Sequence, residues 1–309
     1  FQGGDLSRKG SIAACAKHFA GYGASEAGRD YNTTNIPEIE LRNVHLPPFK
    51  AAVDAGVATL MTSFSDLNGV PASANALLLT RILREEWGFD GFVVSDWESI
   101  PQLAVHGLTA DARESAREAA NAGLDVDMAG HAYADHLESL VAEGGVTPER
   151  LDALVANVLR VKFRLGLFED PFTNPADFPT IANEEHLRAA RQAALESAVL
   201  LKNEGRTLPL DGASLASLAV IGPLADDGSE QLGTWVFDGD PGLSVTPLAA
   251  LRDVLDETVD VRFAPGLDPS WSRSEDGFPE AVEAATGADV ALVFPVSYTH
   301  LTLPTKRIV

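Results

Sequence analysis

The chain has 309 residues, 45% of them hydrophobic, and a formal net charge of −22 at pH 7. Such acidity argues against nucleic acid and anionic membrane surfaces as partners, because both are polyanions. The length suggests two domains with sizeable cores. The one cysteine excludes an internal disulfide, and no apolar run reaches the roughly 18 residues of a membrane-spanning helix. Phe1 is not a methionine and no signal peptide follows it, so the start reads as a processed or truncated end.

Residues 12–20 give the first strand, with Ile12–Cys15 as its buried run, Cys15 a small buried side chain, and Lys17 and His18 at the end of that run. Pro37 precedes residues 38–55, whose apolar rhythm (Ile39, Leu41, Val44, Val53) predicts a helix. Val57–Phe64, reading VATLMTSF, is a second strand. A helix over 74–86 turns Ala76, Leu77, Leu79, Ile82 and Leu83 inward. Then comes the centre of the chain, Trp87 to Ser99, reading WGFDGFVVSDWES. Gly88 and Gly91 punctuate its start, and Phe92–Val94 has the character of a strand buried on both faces. Ser95, Asp96 and Trp97 break that run. Barrel enzymes place catalytic carboxylates at the carboxyl ends of such strands, although a residue like Asp96 also serves as a helix cap.

A helix follows near 110–122, then a fourth short strand, Leu124–Met128. Helices near 132–143 and 148–165 close the section, the second opened by Thr147 as cap and Pro148 in the first turn. The alternation of strands and helices implies a parallel sheet. An eight-stranded barrel needs roughly 250 residues, so about half of it is expected upstream of Phe1. Residues 167–183 carry three prolines and read as a linker. A helix is predicted over 184–204, then strands at 218–221, 259–263 and 290–294 with helices at 247–256 and 278–286. G-x-G-x-x-G is absent, so the Gly222 turn is no dinucleotide fingerprint. Residues 296–309 hold no acidic residue and read as a non-native tail.

The motifs KHFAGYG (17–23), GRDYN (28–32), LPPF (46–49), LNGVP (67–71) and WGFDGFVVSDW (87–97) occur in this order. Together they resemble glycoside hydrolase family 3, in particular bacterial β-glucosidases with a barrel followed by an α/β sandwich domain. The resemblance implies an α/β fold: the C-terminal half of a (β/α)8 TIM-type barrel over 1–166, a linker and connecting helix over 167–195, and the start of the sandwich domain over 196–295. It implies Asp96 as the nucleophile of a retaining, exo-acting hydrolase of β-linked glucosides. It further implies Lys17 and His18 as donors to sugar hydroxyls, Trp97 as a stacking aromatic, and unusual, cis-like peptide geometry around Lys17–His18–Phe19. Met61 and Phe64, at the end of the second strand, are candidates to line the pocket, and ordinary core is their other reading. Arg29 and Asp30 are expected to form an ion pair at the rim.

The chemistry calls for no cofactor. Asp125 and Asp127 offer too few oxygen ligands for a metal, and are read as strand-end carboxylates, with Asp127 a candidate minor site residue. The acid/base is implied to be a glutamate after the strand ending at Phe294, yet the last glutamate is Glu283, so none is assigned. Glu98 stands too near Asp96 to reach the opposite sugar face. A β-xylosidase or arabinosidase of the same family and an inactive carbohydrate-binding remnant remain alternatives. The family's N-acetylhexosaminidases are set aside, since Ala20 and Tyr22 stand where those enzymes carry Pro and His. A periplasmic or secreted location is expected, with the cytoplasm as alternative.

Overall fold

Parallel strands too short to stand alone gain stability from pairing and from the helices that cover them. The computed structural model describes residues 2–233 and 235–295 and shows this in its first sheet. In chain order the elements are β1 (Cys15–Phe19), α1 (Glu38–Glu40), α2 (Pro47–Asp54), β2 (Thr59–Thr62), the hairpin β3–β4 (Asp66–Leu67, Val70–Pro71) and β5 (Phe92–Val94). A helix of wide, π-type turns, Leu77–Glu86, links the hairpin to β5. The sheet order is β1-β2-β5, all parallel. Thr59, Leu60 and Met61 stand opposite Phe92, Val93 and Val94. Helices α3 (Gln102–Val105), α4 (Ala112–Ala122), α5 (Ala132–Ala142) and α6 (Pro148–Arg164) follow.

The core cluster joins Leu60 and Val93 from the sheet to Leu78, Leu79, Ile82 and Leu83 from the wide helix, with Ile100, Leu103 and Leu124 beside them. Gly91 is obligatory, since a Cβ there would lie 1.9 Å from the Ala58 carbonyl oxygen. β5 reaches its place beside β2 only because that side chain is missing.

Three expectations fail here. The first strand lies within 12–20 but starts only at Cys15, so Ile12–Ala14 are not part of it, and Cys15 is exposed. The Gln2 side chain explains the shift. Its Oε1 accepts from the Ala14 and Ala58 amides at 3.0 and 2.8 Å, replacing the ladder bonds a longer strand would make. Leu124–Met128 forms no strand, only a single bridge between Val126 and Val94. The Asp125 carboxylate takes the Val93 amide at 2.6 Å, so a side chain occupies the place of a ladder partner. The helix predicted over 184–204 is α7 (Glu184–Ser197), capped by the Asn183 side chain. Its three expected last apolar residues, Val199 to Leu201, are exposed. Three consecutive apolar positions do not form a one-sided helical stripe that packing could hold.

The chain divides into two compact units, with the break between Thr173 and Asn174. The second unit has a parallel sheet of β6 (Ser217–Ile221), β7 (Asp260–Ala264) and β8 (Val290–Val293), with α8 (Pro247–Val254) and α9 (Phe278–Thr286) as crossovers. Its order is β7-β6-β8, so the chain steps to opposite sides of its first strand. The residues 296–309 lie outside the described residues.

Candidate active site

The candidate site is built by the loops that leave the carboxyl ends of β1, β2 and β5. In β1 the pairing runs Ala16 to Leu60 and then Phe19 to Thr62, so Lys17 and His18 share a bulge opposite one residue of β2. Bulges of this kind re-aim side chains beside active sites. The Lys17–His18 and Phe19–Ala20 peptide bonds are cis, as the resemblance implies for this stretch.

Asp96 lies two residues past the end of β5 and is 6% exposed. Its Oδ1 accepts from the Trp97 amide at 2.8 Å. Its Oδ2 is buried without a hydrogen-bond partner. His18 Nε2 lies 3.3 Å from that oxygen, an electrostatic contact without hydrogen-bond alignment. Burial is the largest influence on His18 and pulls its pKa below the ordinary 6.5, and Lys17 adds to the effect. Asp96 and Asp30 oppose it without prevailing. The lowered pKa favours the neutral ring at neutral pH.

Lys17 and His18 also border a polar groove of about 360 Å³ with Tyr22 and His45. Met61 is 9% exposed and stands opposite Val94, two residues before Asp96. Phe64 is buried against the rings of Tyr22 and Tyr31, at 6.2 and 4.4 Å. Trp97, beside the carboxylate, is 39% exposed. The structure thus brings His18 against Asp96, sets Lys17 beside His18, and joins Phe64 to His18 through Tyr22.

Sequence reading overlooked the aromatic part of the site. Tyr22 and Tyr31 lie inside the KHFAGYG and GRDYN motifs, so the signal was present. The expected Arg29–Asp30 ion pair is not found among the described residues. Asp30 instead accepts a hydrogen bond from the Tyr22 hydroxyl, and Tyr22 touches His18 ring to ring at 5.2 Å. Burial first, then Asp30, pushes the Tyr22 phenol far above its ordinary range. Spacing gave no hint of the buried hydroxyl chain from Thr62 to Ser73 (2.9 Å) and Ser73 to Ser99 (2.7 Å). That chain ties β2 to the turn after Asp96, where the Ser99 amide donates to the Asp96 carbonyl at 3.1 Å. Asp127 Oδ2 accepts from the Tyr133 amide at 3.2 Å, while its Oδ1 is buried and unpartnered. Among the described residues no three His, Cys, Asp or Glu side chains converge as metal ligands.

Residues 4–161 match the Glycosyl hydrolase family 3 N terminal domain, and residues 198–299 match the corresponding C-terminal domain. A periplasmic β-glucosidase of Salmonella typhimurium is 38% identical over 294 residues, 93% of this chain and 38% of that protein. A β-xylosidase of Formosa agariphila is 36% identical over 306 residues, 94% of this chain and 42% of that protein. The chain thus spans about two-fifths of the length of these relatives. A β-glucosidase from Listeria innocua, solved in complex with glucose, superposes with a TM-score of 0.80 at 34% identity, covering 98% of this chain and 43% of that one. Among the described residues, no helix is long and apolar enough to cross a membrane.

Proposed function

Since this chain belongs to the glycosyl hydrolase family 3, we propose that it carries the nucleophile of a retaining β-glucosidase acting on terminal β-linked glucose. One observation carries the reading: Asp96 is a buried carboxylate with one oxygen fixed by the Trp97 amide and the other left without a hydrogen bond. A nucleophile needs that division. The fixed oxygen orients the group, and the free one attacks the anomeric carbon. The attack forms a glycosyl ester on Asp96 and expels the aglycone oxygen, which takes a proton from a general acid. Water then hydrolyses the ester with net retention. Lys17 and neutral His18 donate to hydroxyls of the bound sugar, and Met61, Phe64 and Trp97 line its pocket. We assign no general acid.

The same reading makes residues 1–166 the later half of a (β/α)8 barrel, 167–195 a linker with a connecting helix, and 196–295 the first part of an α/β sandwich. The periplasmic relative supports a periplasmic or secreted location. A β-xylosidase is the second reading, favoured by the 36% identity to the Formosa enzyme.

The test uses the full-length protein and an aryl 2-deoxy-2-fluoro-β-glucoside. The expected product is a fluoroglucosyl adduct on the peptide containing Asp96. An adduct on any other residue overturns the assignment, and trapping by the xyloside analogue alone selects the second reading.

A further inference from the structure

The rings beside Asp96 form a continuous wall. His18 meets Tyr22 edge-on at 5.2 Å, Tyr22 lies 6.2 Å from Phe64, and Tyr31 lies 4.4 Å from Phe64. At the inner end, His18 is 3.3 Å from Asp96. At the outer end, Tyr31 is 40% exposed above a Phe64 that is 5% exposed. The rings therefore connect the buried carboxylate to an exposed ring, and Tyr31 is the last of them.

Tyr31 is held there against its backbone preference. Its φ is +64°, in the left-handed region where a bulky side chain is an outlier, and such outliers gather at functional sites. The loop sustains it with its own hydrogen bonds. The Tyr31 amide donates to Asp30 Oδ1 at 3.1 Å, the Asn32 side chain to the Glu26 carbonyl at 3.2 Å, and the Glu26 amide to the Thr33 carbonyl at 2.9 Å. Asp30 also takes the Tyr22 hydroxyl, which pins the loop to the ring touching His18. After burial and Asp30, Asp96 is a third influence raising the Tyr31 phenol, so this ring lies within reach of the carboxylate's field.

Lys17 and His18 supply the polar contacts near the nucleophile, whereas the outer wall offers ring surface. The substrate part that extends from the anomeric carbon toward solvent is the leaving group. We propose that Tyr31 is a specificity-determining residue that packs against the apolar face of a cyclic leaving group, an aryl ring or a second pyranose. The proposal rests on Asp96 being the nucleophile of a β-glycosidase.

The experiment compares wild type, Tyr31→Asn and Tyr31→Phe in the full-length protein on 4-nitrophenyl β-glucoside, cellobiose and methyl β-glucoside. Asparagine tolerates the left-handed backbone while removing the ring. We expect Tyr31→Asn to raise KM roughly tenfold for a ring-bearing leaving group, the scale of a lost ring contact, with kcat retained. Methyl β-glucoside should be unaffected, and Tyr31→Phe should match wild type. An effect on only one ring-bearing substrate identifies which ring is recognised. An equal change with the methyl glucoside, or none with either ring, overturns the proposal. If wild type hydrolyses none of the three, the glucosidase reading fails, and calorimetry with 4-nitrophenyl β-thioglucoside then decides. Roughly tenfold weaker binding to Tyr31→Asn upholds the ring contact, and equal binding refutes it.

Discussion

Two buried carboxylates serve β5, and they differ in how their oxygens are occupied. Asp125, beside the strand's middle residue Val93, has both oxygens engaged: Oδ2 takes Arg84 at 2.7 Å and the Val93 amide at 2.6 Å, and Oδ1 takes Asn157 at 2.8 Å. Arg84 also donates to the Phe89 and Gly91 carbonyls at 3.1 and 2.6 Å. Burial pushes the Asp125 pKa up and the Arg84 pKa down, and each partner's charge opposes the shift. Asp96, past the strand's end, has one oxygen held and one free. Burial alone therefore does not mark a reactive carboxylate. Satisfaction of both oxygens makes Asp125 a structural clamp, whereas Asp96, like Asp127, keeps one buried oxygen unpartnered.

This contrast can be broken in a definite order. Asp96→Ala in the full-length protein should lower turnover by roughly four orders of magnitude or more, the scale for loss of a nucleophile. Its thermal unfolding midpoint should stay near wild type, and retained activity would contradict the role given to Asp96. Asp125→Ala should do the opposite and act on the fold. It strands a buried guanidinium and should cost about 3–5 kcal/mol, read from denaturant unfolding. A loss below about 1 kcal/mol would show that Arg84 finds water or another partner.

Ser73→Ala should cost about 1–3 kcal/mol, because Thr62 and Ser99 each lose their buried partner. It sharpens the comparison if kcat falls as well, since Ser99 supports the Asp96 turn. The smallest expected effect is on pH dependence. His18 has its pKa lowered, so it gains a proton only as pH drops below the ordinary 6.5. Any stability drawn from the neutral ring is present above 6.5 and is lost as pH falls through the lowered value. In kcat/KM, an acid limb attributable to His18 should lie below 6.5 and vanish in His18→Gln. A His18 limb above 6.5 would mean that Asp96, not burial, dominates the ring.

The sequence by itself determined the α/β alternation and the family. Apolar runs bounded by glycine and proline report strands directly, and the ordered motifs report ancestry. It also drew attention to Asp96, Lys17 and His18, because strand-end positions are local features of a one-dimensional pattern. Only the tertiary structure decided which oxygens of each carboxylate are occupied. Asp96 and Asp125 look alike in sequence, each beside a short apolar run, and their difference lies in partners supplied from far along the chain, such as Arg84 and Asn157 for Asp125. Tertiary packing likewise decided that Cys15 is exposed, that Leu124–Met128 makes one bridge instead of a strand, and that Asp30 takes Tyr22 instead of Arg29. The physical reason is the same throughout. Periodicity reports which residues seek burial, whereas the saturation of buried polar groups depends on which distant donors the fold delivers.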